Sequence, residues 1–501
     1  MTLLAPSASE RDRKEVLALG TVLLSLAGLS ATLLAWQIVA PNSIHAAGIT
    51  IDRLSASLTL LVAVIGSVTF RFSIRYLDGN PLRRRFLRLL TFTVVAAYLL
   101  MASTNLALFF ACWLLTSMGL HELLTIYRDR REAIRPARKK FLISRLGDVA
   151  LIAAIGLIWA GWGTLDLNEF LAAVVASNDS PALGAIAFLV AIAALTKSAQ
   201  FPFHSWLPET MESPTPVSAL MHAGIINAGG ALLIRFAPVM VRVPEVLLLL
   251  SVIGTLTFAI GMLSMWAQVK VKRTLAWSTV SQMGFMMVQC GLGAFPAAAV
   301  HIVGHGCYKA WSFLRSGDVP PPSAIPASPV RAVTLAFIGT VVAVPALAFA
   351  GWITGYSPLH SPGELALSAI VALSVGQLWV AILGRSPSGW GRVLTALAST
   401  VGVSVGACGI YRGAALFLLP VLGELPPVTG FLAWIAAAIP VGVLTALAVI
   451  HALLPVIGSA SFGRAFHVHA LHGFYLGAIA DRLLDSVWGR PPNIKSGVER
   501  A

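Results

Sequence analysis

The chain of 501 residues is poor in charge: Asp, Glu, Lys and Arg make up 11% of it, against 57% hydrophobic residues. Soluble domains carry roughly a quarter charged residues. This composition therefore excludes a soluble enzyme, a disordered chain and an ordinary nucleic-acid binder. Cysteine is scarce as well. Cys112, Cys290, Cys307 and Cys408 lie inside apolar runs with no CxxC spacing. They read as small packed residues, which leaves no iron–sulfur cluster, zinc site or disulfide framework. A phosphate-binding loop, a dinucleotide fingerprint and a nucleophile elbow are also missing. Arg11, Arg13 and Lys14 precede a long apolar run without a cleavage signal, so that run reads as a first membrane helix.

What the chain has instead is long apolar runs, with a mean hydropathy of +0.83. A helix needs about 20 apolar residues to cross a bilayer. The polar–apolar alternation of an outer-membrane barrel is absent. The expected fold is an all-α polytopic membrane protein with about fourteen transmembrane helices. They fall near residues 16–40, 54–74, 86–104, 106–127, 141–162, 183–200, 216–236, 246–266, 272–293, 297–315, 332–352, 365–383, 393–411 and 430–456.

Lys and Arg number 35 against 21 acidic residues, a net charge of +14. In a membrane protein such an excess marks orientation, because basic residues collect on the cytoplasmic side. With a cytoplasmic N-terminus, twenty-nine of the thirty-five fall on the cytoplasmic face. Arg53, Arg235, Arg242 and Arg412 fall outside, and Lys197 and Lys309 inside the membrane. Residues 86–236 and 246–383 each hold five spans, and in each block the fourth runs into a Gly/Pro-broken stretch. An odd span number inverts the second block relative to the first, an arrangement typical of transporters. The expected organisation is N-terminal helices (1–85), two inverted five-helix repeats (86–236 and 246–383), C-terminal helices (384–456) and a cytoplasmic amphipathic tail (457–501). Pro320–Pro329 reads as a linker.

The few intramembrane charges are the candidates for function, since each costs several kcal/mol to place there, about 2.5–3.5 by insertion scales. Lys197 closes an apolar span just before the break marked by Pro202, Pro208, Pro214 and Pro216. Desolvation makes such a lysine able to load and release a proton. His222 lies on the following span, where a tight turn brings it beside its predecessor. His301, His305 and Lys309 are spaced i, i+4, i+8, which puts three titratable groups on one helix face. A proton wire accounts for all three; a metal site lacks a third ligand. Asp148, near Arg145, and Glu122 are the two acids placed to tune Lys197, and spacing does not choose between them. His467, His469 and His472 lie ahead of an amphipathic surface helix expected from Gly473 to Trp488, a reading preferred to a tail metal site.

The segment Thr196-Lys197-Ser198-Ala199-Gln200-Phe201-Pro202-Phe203-His204-Ser205-Trp206-Leu207-Pro208, continuing through Ser213-Pro214-Thr215-Pro216 to His222-Ala223, closely resembles the proton-translocating antiporter-like subunits of respiratory complex I, Mrp antiporters and membrane hydrogenases. Lys272-Arg273-Thr274-Leu275-Ala276-Trp277, Arg145-Leu146-Gly147-Asp148 and the His301–Lys309 face fit the same pattern, and Lys272 joins the candidate ion pathway. Met221-His222-Ala223-Gly224-Ile225-Ile226-Asn227-Ala228-Gly229-Gly230 and the tail segment His467–Leu476 are most similar to the DabB membrane subunits of inorganic carbon accumulation complexes. That resemblance implies a cation-conducting, non-catalytic subunit (proton, or sodium) in a bacterial inner membrane. It also implies a large, mostly soluble DabA partner whose zinc site resembles that of β-carbonic anhydrases, so that zinc belongs to the partner and this chain holds no cofactor. The chain departs from the complex I pattern in three ways. That pattern's Trp-Glu-Gly glutamate is replaced around Trp113-Leu114-Leu115-Thr116-Ser117, residues 332–362 hold no lysine, and no long lateral helix follows the last spans. These departures imply passive conduction that drives a partner, in place of a full pump.

Overall fold

A computed structural model describes residues 10–40, 43–176, 180–318, 328–384, 389–458 and 460–489. Most of the expected linker, Arg385 and the tail beyond Gly489 lie outside the described residues. In chain order the helices are α1 (Glu10–Val39), α2 (Arg53–Tyr76), α3 (Arg83–Ala102), α4 (Leu106–Leu124), α5 (Arg131–Trp162), α6 (Leu167–Ala176) and α7 (Ala182–Lys197). After a 3₁₀ turn at Leu207–Glu212 come α8 (Thr215–Ala223), α9 (Ala228–Arg235), α10 (Ala237–Met240), α11 (Pro244–Ala267), α12 (Val271–Gly291) and α13 (Phe295–Leu314). The last are α14 (Pro329–Thr354), α15 (Pro362–Leu383), α16 (Trp390–Leu422), α17 (Phe431–Ile457), α18 (Ser461–Leu471) and α19 (Leu476–Trp488). A small hairpin pairs Ile44–Ala46 with Ile49–Ile51.

The protein is an all-α polytopic membrane protein, and each of the fourteen expected spans corresponds to a helix or, for α8–α9, a helix pair. Eleven are long and apolar enough to cross a membrane on length and hydropathy alone. The other three are α7, which stops at 16 residues, and α12 and α13, of 21 and 20 residues. Lys272, Arg273, Gln282 and Gln289 dilute α12, and His301, His305 and Lys309 dilute α13. Apolar side chains such as Leu24, Phe337 and Phe431 are exposed, as they are where lipid is the solvent.

The α8–α9 span sits at the centre, with nearly every side chain buried. It packs against α2, α7 and α13. Beside it, α11 and α12 form the tightest helix pair. Gly254 and Gly261 on one helix, and Gly284 and Gly291 on the other, let the backbones close. A Cβ on Gly284 would lie 2.5 Å from the Phe258 nitrogen, and one on Gly261 2.6 Å from that of Ser281. Without water to drive association, such small-residue contact holds membrane helices together.

The two ends of the bundle differ in their ion pairs. At one end Asp52 caps α2 through a reciprocal bond with Ser55 and pairs with Arg235 at the end of α9, one contact being 3.1 Å. Arg53, at the same end, donates to the carbonyls of Gln37 and Phe417. At the other end α19 lies across α5. Asp481 and Asp485, one turn apart, pair with Arg135, and Asp481 also meets Lys139 at 2.8 Å. This helix begins at Leu476, three residues later than the expected Gly473, because Phe474 and Tyr475 take positive φ. His469 and His472 pack on Tyr475, with ring centres at 5.4 and 5.3 Å, and no group of three metal-ligating side chains is assembled among the described residues.

Burial pushes the Asp52 carboxyl up, but Arg235 and the bonds from Ser55 outweigh it and hold it below the usual carboxylate range. The stabilisation from this pair is therefore present above the unfolded carboxylate pKa of about 3.9 and is lost as pH falls through the lower folded value. Asp52→Asn strands a buried guanidinium and should cost about 3–5 kcal/mol, seen as a lower unfolding temperature in detergent at neutral pH.

Candidate functional site

The site is organised around the end of α7. Ser198 closes the helix, and Ala199 follows with φ of 50°, a region costly for a residue with a Cβ. The chain then leaves helical geometry until Thr215. Pro202 falls in the turn after α7, Pro208 in the first turn of the 3₁₀ segment, and Pro214 and Pro216 at the start of α8. A proline has no N–H to continue a ladder and fits a helix only at its start. The break is held by Phe201, whose N–H donates to Thr257 Oγ1 at 2.9 Å. It is also held by Gly229, where a Cβ would meet Ala194 O and Ser198 Oγ at 2.4 Å.

At this break Lys197 Nζ donates to the Trp113 carbonyl at 3.2 Å and lies 4.0 Å from the centre of its indole ring. Trp113 Nε1–H donates to Asp148 Oδ1 at 2.9 Å, and the other Asp148 oxygen pairs with Arg145 at 2.7 Å. Asp148 thus reaches Lys197 through an aromatic bridge. Glu122 does not: it pairs with Arg85 and Arg128 at 2.7 and 3.2 Å, with its side chain 38% exposed.

On α13 the three predicted groups do share one face. His301 Nδ1 lies 2.9 Å from Gln289 Oε1, and the His301 and His305 ring centres are 5.8 Å apart. Lys309 is fully buried, donates to the Leu275 carbonyl at 3.0 Å, and has no carboxylate within ion-pair distance among the described residues. Lys272 stands half-buried one turn before that carbonyl, in the first turn of α12. His222 is fully buried and stacks on Phe313 of α13, with ring centres at 4.4 Å. The structure therefore gathers His222, His305 and Lys309 between α8 and α13. Lys197 lies across α8, whose Met221 lines its cavity together with Ile225 just beyond the helix.

Among the described residues, both ring nitrogens of His222, His305 and His204 lack hydrogen-bond partners, as do Ser205 Oγ, Trp206 Nε1, Asn227 Oδ1 and Trp277 Nε1 nearby. Buried polar groups are normally satisfied, so this row leaves donors and acceptors available inside the bundle. Such a row suits proton transfer between imidazole and amine groups.

Two lysines of α5 and His204 were not singled out from the sequence. Lys139 is buried against Glu209 and Asp481, each at 2.7–2.9 Å. Lys140 is 5% exposed and donates to the carbonyl and hydroxyl of Ser117, both at 2.7 Å. Their position in a run of basic residues read as surface charge. The helical period of α5, which turns 140, 144, 147 and 148 to one side, was the available signal.

A family profile described as NADH:quinone oxidoreductase/Mrp antiporter, TM, matches residues 103–323, and one described as the N-terminus of complex I chain 5 matches residues 39–87. The chain is 36% identical over 469 residues to the probable inorganic carbon transporter subunit DabB2 of Halothiobacillus neapolitanus, covering 89% of this chain and 82% of that one. It is 39% identical over 278 residues to the probable inorganic carbon transporter subunit DabB of Hydrogenovibrio crunogenus, spanning about half of each chain (55% and 54%). It is also 35% identical over 274 residues to NADH-ubiquinone oxidoreductase chain 5 of Metridium senile, covering 54% and 45%. The fold matches a chain of the Mrp complex of Dietzia with a TM-score of 0.54 at 24% identity, over 96% of this chain and 58% of that one. It matches a chain of complex I of Thermus thermophilus with a TM-score of 0.51 at 23% identity, over 88% and 93%. On the extent and identity of the first of these sequence matches, the chain belongs to the DabB family of inorganic carbon transporter subunits, a branch of the antiporter-like membrane subunits.

Proposed function

We propose that this chain conducts a cation, most simply a proton, through a bacterial inner membrane and thereby drives inorganic carbon uptake by a zinc-containing partner related to carbonic anhydrases. The observation that carries the reading is the buried His301–His305–Lys309 face with His222 beside it and Lys197 across α8. Protons enter along α13, pass from imidazole to Lys309 and His222, reach Lys197, and leave at the basic face where the N-terminus and tail lie in the cytoplasm. Asp148 holds Trp113, whose carbonyl and ring face meet Lys197. The relay belongs to the first five-helix repeat and the third span of its inverted counterpart. Chemistry on carbon dioxide or bicarbonate belongs to the partner.

The competing reading, a proton-pumping subunit of a complex I, hydrogenase or Mrp assembly, draws on the resemblance to chain 5 of NADH-ubiquinone oxidoreductase. Affinity purification separates the two. One large zinc protein is expected to co-purify; flavin, iron–sulfur or several small membrane subunits would overturn the carbon-uptake reading.

Lys309→Met and Lys197→Met should each lower gradient-driven inorganic carbon accumulation by about a hundredfold or more at unchanged protein level, the scale of a lost proton-transfer group. Lys309→Arg should fail to restore it, because a guanidinium does not release its proton. Accumulation at the normal rate in either methionine variant sinks the relay.

A further inference from the structure

Lys140 and Lys197 line one small cavity, of about 10 Å³, between α4, α5, α7 and α8. Both ammonium groups rest on neutral acceptors: Lys140 on Ser117, Lys197 on the Trp113 carbonyl. No carboxylate lines the cavity. The neighbouring residue shows the contrast. Lys139 is met by two carboxylates, Glu209 and Asp481. Asp148 lies behind Trp113 and is already paired with Arg145.

The remaining polar lining also presents protons. Trp206, 3% exposed, lines the cavity, and its indole N–H has no hydrogen-bond partner among the described residues. The Ser117 hydroxyl accepts from Lys140 and keeps its own proton to donate. Ser144 and Thr196 commit their hydroxyl protons to the carbonyls of Lys140 and Ala193. Two buried cations with spare N–H groups, an unpaired indole N–H and a free hydroxyl converge on a space for about one water-sized particle. Uncompensated charge at such depth is costly, and a charge-assisted hydrogen bond from each donor is the strongest relief available.

We propose that the Lys140–Lys197 cavity is a binding site for a small monovalent inorganic anion of the halide kind, held by both ammonium groups, Ser117 and Trp206. The anion sits where complex I-like subunits, by the resemblance drawn above, carry a glutamate in the same helix, so an exchangeable negative charge stands in for a fixed one. An anion there favours the charged form of Lys197, and charged Lys197 in turn favours the anion. Binding and protonation are reciprocally coupled. The site is argued from its donors alone and stands whether or not this chain drives carbon uptake.

The test is thermal unfolding of the purified full chain in detergent at constant sodium and pH, replacing gluconate stepwise by chloride, bromide or bicarbonate. The expected result is a saturable rise in unfolding temperature with at least one halide, absent in Lys140→Met. A rise with bicarbonate alone overturns the assignment to this cavity. Identical curves in all four anions, or a rise retained in Lys140→Met, overturn the proposal. Should that variant not fold, bromide-81 resonance broadening on the wild-type chain decides: broadening relieved by chloride supports the site, and none refutes it.

Discussion

A charge buried in a hydrocarbon slab must be met from within the protein, because nothing in the lipid can meet it. The way each interior cation is met divides them into two kinds. Arg235 is answered by a full carboxylate, Asp52, and Lys139 by two, Glu209 and Asp481. Lys140, Lys197 and Lys309 are answered by a hydroxyl and backbone carbonyls. A guanidinium stays charged, so its only stable burial is an ion pair. An amine can shed its proton, and a neutral acceptor suits both of its states. The carboxylate-paired Arg235 and Lys139 therefore tie elements together at the bundle ends, while Lys140, Lys197 and Lys309 are left in surroundings that tolerate a change of charge.

The broken helix follows from the same constraint. Irregular backbone within a membrane survives only where it is buried in protein, and the stretch from Ser198 to Pro214 is enclosed by α5, α11 and α12. Its cost is met locally by the Phe201–Thr257 bond and by the close approach that Gly229 permits. In return the break ends α7 at Lys197. The lysine then projects from a helix terminus into the bundle, where Trp113 can lie across it. Aromatic face, carbonyl and the carboxylate behind them form one graded partner for a single proton.

How much of this was legible in the sequence follows from what the bilayer imposes. Apolar runs of spanning length revealed the helices, and rare charges inside them revealed Lys197 and the α13 face. The boundary of α16 shows where the reading falls short. Arg412 interrupts the apolar pattern and suggested an end near 411, but the helix continues to Leu422 with that arginine exposed. Lys140 was hidden for the opposite reason. It belongs to a basic run that reads as cytoplasmic surface, and only the packing of α4 against α5 turns it inward onto Ser117. Nor does spacing choose between Asp148 and Glu122. The choice depends on Trp113, which lies far from both Asp148 and Lys197 in sequence and joins them in space.

The distribution of interior charge also bears on how the gradient is used. Among the described residues of α14 to α17, no lysine or arginine is fully buried, and the interior polar contacts there are of the kind made by Trp379 with Thr400. The titratable groups instead form one series from α13 through α8 to α7. A device that pumps needs charged elements able to force a proton uphill and a second point of control to prevent its return. Under the proposed reading, a single series of this kind would conduct downhill, with the direction of net flow set by the membrane potential and pH difference. Any free energy recovered must then be captured where the series ends. That end is the basic face over which α19 lies, with Glu209, Lys139 and Asp481 joining the broken segment, α5 and the tail in one ionic contact. Lys140, next to Lys139 on α5, shares a cavity with Lys197, so under the proposed reading a change of charge at Lys197 would be felt first at that contact.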